Sequence, residues 1–557
     1  MVKDKGVGGK LKGWSWMGYT LVCFVLLIFA VALYADDWLE DTLRSVVRQK
    51  SKGVYALRLQ DVRVGLRGGE ITLAGVRLEP DFQRWQALPD SSQMPMLYRA
   101  QADRISIEGL SIWDLIISSP IRVRMLFMET PTVQAYRMKG NDDDKNKPLY
   151  EQLSGRLKRL TLDSLRINAG SFFFRSDYKN TYNDVALQGL NLRMQDLSLD
   201  SVAFVAEERV LYARRIRVNV DTTDFLLPKG LYRLRTGPIA VDTQTRSLEA
   251  KQVQLVPLFS PTGMAKSVGE VVSWMEGTAP LVQLQDIDFG AYVKKSGFMA
   301  RSVTVQNPRL YTYTDLKHFT KKSDKELPHQ WVQRLEHRLD VDTVEIKNLN
   351  VRYEELQLES DKKGYITFEN TNITMTNLTN VPEVMSRKTP AVLRASTRVM
   401  GSTPLNCTMR LPFLSENFYH DLEGNIGAFD PAILNPILEP SMFVTVESGH
   451  VQEGHFQFKL DEEDAEGSMT VLYDNLEIEL LSKRAGVRQP LGKEILSEVI
   501  NWVAIKEENP DEPGEKPRVA QVRVSRDRKS SALSYWKDCL ADGFLSSMGL
   551  KQQAKAL

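Results

Sequence analysis

The chain has 557 residues, enough by the usual size of domains for about three or four of them. Hydrophobic residues make up 42% and charged residues 26%, the balance of a packed globular protein, which excludes a disordered chain and a multi-spanning membrane protein. Lys and Arg number 72 against 71 Asp and Glu, so a net charge of +1 offers no field for nucleic acid, and the three cysteines (Cys23, Cys407, Cys539) are too few for a disulfide framework or a cysteine-rich zinc site.

In chain order, Lys3, Lys5, Lys10 and Lys12 come first, residues 13–35 carry no charge, and Asp36, Asp37, Glu40 and Asp41 follow. The uncharged stretch predicts one transmembrane helix over 13–35, and the lysines place residues 1–12 in the cytoplasm and everything beyond Ala35 on the other side. Trp14, Trp16 and Tyr19 at one end and Tyr34 and Trp38 at the other suit the two interfaces. A cleaved signal peptide, with Ala30, Ala32 and Ala35 as small cleavage positions, is the alternative; the stretch exceeds the core of a usual signal, which favours the anchor.

Beyond residue 50 the apolar positions follow the rule i, i+2, i+5, i+7. It is clearest in Ile71/Leu73/Val76/Leu78, Ile105/Ile107/Leu110/Ile112, Leu160/Leu162/Leu165/Ile167, Val282/Leu284/Ile287/Phe289 and Leu339/Val341/Val344/Ile346. Strict alternation puts the two pairs of each quartet on opposite faces unless a residue is looped out between them. The centres are mostly small or turn-forming (Ala74-Gly75, Glu108-Gly109, Asp163-Ser164, Gln285-Asp286, Asp342-Thr343), which predicts bulged or bent strands with one apolar face. Glu108, Arg166 and Glu345 are then expected to point away from it.

The landmarks recur at an offset of 177 to 179 residues: Val76 to Pro80 as Val253 to Pro257, Ile105 as Val282, Pro131 as Pro308, Leu160 as Leu339. Two tandem β units are predicted, 36–207 and 208–385, joined as an elongated, repeated antiparallel sheet; two separate β-sandwiches are the competing arrangement. The polar insertions Asn141 to Lys147 and Lys317 to Glu326 read as surface loops. A third β-rich region covers 386–481 and a helical segment 482–557. Within that segment Glu494 to Ile505 and Ser531 to Met548 are the predicted helices, the second burying Leu533, Trp536, Leu540, Phe544 and Met548 against the end of the sheet.

No site chemistry emerges. There is no P-loop, dinucleotide fingerprint, nucleophile elbow or HExxH, and His450 and His455 fall on opposite faces of a strand. Glu354-Glu355 reads as a solvated edge. The chain is expected to be no enzyme and to carry no cofactor or metal. What remains is the apolar face, which with almost no helix between 50 and 480 has to be covered by curling or by a foreign apolar molecule.

The span at 13–35, the opening strands Leu57 to Pro80, the stretch Phe429-Asp430-Pro431-Ala432-Ile433-Leu434-Asn435-Pro436, and its continuation through Val444 to Val451, Glu466 to Met469 and Leu476 to Leu481 resemble the AsmA-like family of Gram-negative envelope proteins, related to the TamB and YhdP types. The resemblance covers nearly the whole chain. It implies a mainly β body curled into a hydrophobic groove in the periplasm, held by a single-pass inner-membrane helix, and a part in phospholipid transfer that supports outer-membrane biogenesis. The groove-lining residues are then Ile71, Leu73, Ile105, Ile107, Leu160, Leu162, Val282, Leu284, Leu339 and Val341. The implied partners are phospholipids and the inner membrane, with an outer-membrane or periplasmic protein at the distal end. An envelope scaffold that assists assembly of outer-membrane proteins, without conducting lipid, is the alternative.

Overall fold

The computed structural model describes residues 36–65, 69–110, 121–138, 160–177, 182–481 and 506–548, apart from Pro513, together with Tyr150 and Lys179. The expected tail 1–12, the span 13–35, the insertion Asn141 to Lys147 and the helix Glu494 to Ile505 lie outside the described residues. Among those residues no helix is long and apolar enough to cross a membrane. The chain is mainly β, and its strands belong to one large mixed sheet. It divides into two compact units, the first ending at Val253 and including Asp286–Lys295, the second comprising Gln254–Gln285 and the residues from Ser296 onward.

The first unit opens with helix α1 (Asp36–Lys50) and holds β1 (Tyr55–Arg58), β2 (Asp61–Gly65), β3 (Glu70–Pro80), β4 (Met96–Glu108), β5 (Ile121–Glu129), β6 (Thr132–Arg137), β7 (Leu160–Arg175), β8 (Val185–Leu199), β9 (Ala213–Val220), β10 (Thr222–Leu226), β11 (Tyr232–Thr236) and β12 (Ile239–Asp242). Strand β13 (Ser247–Pro257) leads out of it. The second unit holds β14 (Ser273–Gln285), β15 (Gly297–Gln306), β16 (Arg309–Asp315), helix α2 (Pro328–Gln333), β17 (Arg338–Leu356), β18 (Gly364–Thr379), β19 (Ala391–Val399), β20 (Thr403–Leu411) and β21 (His420–Ile426). Helix α3 (Asn435–Met442), β22 (Val444–Leu460), β23 (Asp464–Leu480), β24 (Val519–Ser525) and helix α4 (Ala532–Ser547) complete it. The stretch 482–557, expected to be helical, therefore also contributes a strand.

One order of pairing occurs in both units. Strand β4 pairs antiparallel with β5 along its second half and with β6 along its first, so β5 and β6 lie end to end as one interrupted strand; both then pair parallel with β7, which pairs antiparallel with β8. Strands β14, β15, β16, β17 and β18 repeat this arrangement. The interruption falls at Thr130-Pro131 and at Asn307-Pro308. Proline has no N–H for the ladder, and the preceding residue turns through a left-handed conformation (φ +46° at Thr130, +49° at Asn307). The carbonyl of each proline is still used, accepting from Ser171 N at 2.7 Å and from Asn350 N at 2.9 Å.

The sheet is thus mixed, which corrects the antiparallel expectation. The cause is the connection after the interrupted strand. Residues 316–337 return the chain to the starting end of β15 before β17 begins, and a parallel neighbour needs such a long crossover. The insertion Lys317 to Glu326 is part of that crossover.

The i, i+2, i+5, i+7 spacing has a collective origin. From Leu160↔Leu199 to Ile167↔Leu192 the register of β7 on β8 never slips, although Asp163 and Asp196 make no pair, and β5 on β7 likewise keeps one register across Arg124 and Asp163. Neighbouring strands bend at the same level, each using one polar residue at the corner, and Asp196 is left-handed there (φ +51°). A single bulged strand would shift its partner's register, whereas an aligned row of bends does not. Leu160, Leu162, Leu165 and Ile167 consequently all reach one core, shared with Ile71, Leu73, Ile105, Ile107, Val123, Leu126 and Met194.

Candidate functional site

In the second unit the strand registers build two apolar rows across one face of the sheet. The first runs Val282, Val305, Ile346, Ile373, Ala395, Cys407 on β14, β15, β17, β18, β19 and β20. The second runs Leu284, Val303, Val344, Met375, Leu393, Met409, Leu422 and Phe458. The residues between them along each strand, Gln283, Thr304, Glu345, Thr374, Arg394, Thr408 and Glu423, form a polar row on the opposite face. Period-two alternation thus separates an apolar from a polar face over six strands.

Cover on the apolar face changes along these rows. From β14 to β19 every member is half-buried. From Met409 onward the second row is buried, packing with Tyr535 and Cys539 of α4 and Val332 of α2. Five strands at the usual spacing give the half-covered lane a length of about 19 Å, comparable with the about 15 Å of one leaflet's hydrocarbon.

A histidine pair fixes the two helices over the closed end. Trp536 Nε1 donates to His420 Nε2 at 3.0 Å, leaving His420 Nδ1 to donate to the carbonyl of Phe418, also at 3.0 Å. The His329 ring of α2 lies 5.4 Å from that of His420 and 5.4 Å from that of Phe413. Burial, and secondarily the neighbouring His420, pushes His329 down to about 3, and burial lowers His420 too. Both rings are neutral near pH 7.

At one end of β17 a carboxylate is buried. Glu355 accepts from Tyr353 Oη at 2.7 Å and from Gln357 Nε2 at 2.9 Å. Burial alone would raise it, but hydrogen bonds outweigh that and hold it below the usual carboxylate range. Glu354 points to the other face, accepting from Tyr311 at 2.8 Å and pairing with Arg352 at 2.8 Å. The pair does face apart, but neither member is the solvated residue expected from sequence.

The ten sequence-predicted groove residues divide between the units. Ile71, Leu73, Ile105, Ile107, Leu160 and Leu162 are at most 5% exposed, inside the closed core of the first unit. Val282 and Leu284 lie in the half-covered lane; Leu339 is half-buried and Val341 buried beyond the bend at Asp342. Glu108 pairs with Arg124 at 3.1 Å, Glu345 with Lys347 at 2.9 Å, and Arg166 is exposed.

Sequence reasoning missed an asparagine network at the second row of bends. Asn348 Nδ2 donates to Asn307 Oδ1, Asn372 Oδ1 accepts from Asn348 N, and Asn350 Oδ1 accepts from Asn370 N. Asn307, Asn348 and Asn370 are all left-handed. The repeated Asn-X-Asn in Asn348-Leu349-Asn350 and Asn370-Thr371-Asn372 was its signal. Cys407 and Cys539 are free thiols, and among the described residues no group of three or more His, Cys, Asp or Glu is placed to hold a metal ion. No family model matches the chain, and no curated protein matches it in sequence.

Proposed function

We propose that the second unit holds phospholipid acyl chains along the lane formed by Val282, Val305, Ile346 and Ile373 and by Leu284, Val303, Val344 and Met375. In this reading the protein is a lipid-transfer component of a bacterial envelope. Residues 13–35 anchor it in the inner membrane, its body is periplasmic with the sheet curled around the lane, and its activity supports outer-membrane biogenesis. The observation that carries the reading is the half-covered apolar face from β14 to β19, backed by a polar row and comparable in length with an acyl chain. The resemblance to AsmA-like proteins supplies the compartment and the lipid class.

The test places a photo-reactive side chain at Leu284 or Ile346 of the full chain in cells. Phospholipid adducts are expected there and not at Ile107 or Leu162, which have no room for a chain. Protease added to spheroplasts should also digest the body. The sealed core of the first unit favours the second reading, an envelope scaffold, and absence of adducts at Leu284 and Ile346 in stably present protein would make it the better one.

A further inference from the structure

Within the second unit, the connection between β13 and β14 places unpartnered apolar side chains beside unpaired lysines. Leu258, Phe259 and Val268 are 43%, 40% and 38% exposed, an unusual density of large apolar surface in eleven residues. Leu258 and Phe259 lead into a short helix, Pro261–Val268, that ends on Val268; Ser260 caps it through its side chain, and Met264 and Ala265 root it in the protein. Phe259 also holds Trp274, whose Nε1 donates to its carbonyl at 2.8 Å; Trp274 in turn meets Tyr311 edge to face, ring centroids 5.7 Å apart. The crossover after β16 runs alongside, Val271 N donating to Lys321 O at 2.8 Å. Lys266 and Lys321 are exposed and form no ion pair among the described residues.

We infer that this surface docks on an anionic lipid bilayer. Exposed Leu258, Phe259 and Val268, the Trp274–Tyr311 pair tied to Phe259, and the exposed, unpaired Lys266 and Lys321 are the side-chain types that a membrane interface takes at its acyl boundary, carbonyl region and phosphates. The charge complementarity selects an anionic surface over a neutral one, each lysine adding attraction that falls off within a Debye length. The inference stands on these side chains alone and does not need the lane to carry lipid.

The experiment reconstitutes the full chain into phosphatidylcholine vesicles with or without phosphatidylglycerol, carrying a photo-reactive side chain at Phe259 or, as control, at Val384, an equally exposed apolar position of the same unit. Lipid adducts are expected at Phe259, more with phosphatidylglycerol, and few at Val384. Charge reversal at both lysines (K266E, K321E) should lower capture at Phe259 by about ten-fold or more with an unchanged circular dichroism spectrum. Equal capture at the two positions, adducts to protein instead of lipid, or capture indifferent to charge reversal would overturn the inference. Adducts at Phe259 without any at Leu284 would leave it standing while sinking the lane.

Discussion

The Nδ2 of Asn348 donates to the Oδ1 of Asn307 at 2.8 Å, joining two residues that both adopt left-handed backbone where adjacent strands bend together. Asparagine does two things there. It tolerates positive φ at lower cost than other side chains, and its amide occupies backbone groups that the bend takes out of the ladder. Asn372 and Asn350 continue the network by accepting from the N–H groups of Asn348 and Asn370 at 3.1 and 3.2 Å.

Replacing Asn348 separates these contributions. Asn348→Gly keeps the backbone conformation and loses the amide contact, an expected cost of about 1 kcal/mol. Asn348→Ala loses both and is expected to cost about 2 to 3 kcal/mol. Urea unfolding of the two variants checks the order. Equal losses would mean that the backbone conformation contributes nothing.

The bends themselves were readable in sequence because their signature is local. Leu160, Leu162, Leu165 and Ile167 can share a core only if one residue is spent between the pairs, whatever the neighbours do. Strand direction was not readable, since the parallel pairing of β17 depends on where residues 316–337 deliver the chain and not on any residue of β17. The predicted face of α4 holds in part, since Trp536, Leu540, Phe544 and Met548 pack partly buried against the core of the second unit. The expected Leu533 is 72% exposed, while Tyr535, Cys539, Gly543, Ser546 and Ser547 are buried. A Cβ on Gly543 would lie 2.5 Å from Met469 Sδ, so the helix presses small residues against β23, and the large ones that a hydrophobic pattern selects flank the contact. Whether an apolar strand face is sealed or half-open depends on what lies over it, which is why six of the ten expected groove residues sit in a closed core and only Val282 and Leu284 in the lane.

Gly109 tests the row of bends in the first unit. Its φ is +69°, and an added Cβ would stand 2.6 Å from Arg124 Cβ, an atom that cannot move without its strand. Gly109→Ala should cost about 2 to 4 kcal/mol, from conformational strain and the shift of β5 together. Thermal unfolding gives the measurement. A change within a few tenths would show that β4 and β5 do not bend in concert.

The histidine pair makes the closed end acid-sensitive. The folded state holds His329 and His420 below their ordinary value, so between about pH 6.5 and the folded values the unfolded chain binds more protons. The associated stability is complete above about pH 6.5 and is lost as pH falls toward 3, with a slope of up to about 1.4 kcal/mol per pH unit for each ring. Asp421 and Asp461 moderate the shift at His420, and Arg526 adds to it. His329→Phe keeps the packing on Phe413 and should flatten the pH dependence of unfolding between pH 4 and 6, leaving that of His420. An unaltered profile would mean that His329 does not titrate on unfolding.

A charge placed on each apolar face distinguishes the sealed core from the lane. Leu162 is 2% exposed and packed on all sides, so Leu162→Asp strands a carboxylate with no partner and should destabilise the first unit by several kcal/mol, about 3 or more. Leu284 on β14 is only half-buried, so in Leu284→Asp water reaches the carboxylate and the loss should be nearer about 1 kcal/mol. Lipid binding should respond in the opposite sense. Native mass spectrometry of detergent-purified protein should find co-purified phospholipid retained in any Leu162→Asp protein that remains folded and reduced in Leu284→Asp. Comparable destabilisation at the two sites, with lipid content untouched by Leu284→Asp, would mean that the rows from β14 to β19 are as closed as the core of the first unit, and the scaffold reading would follow.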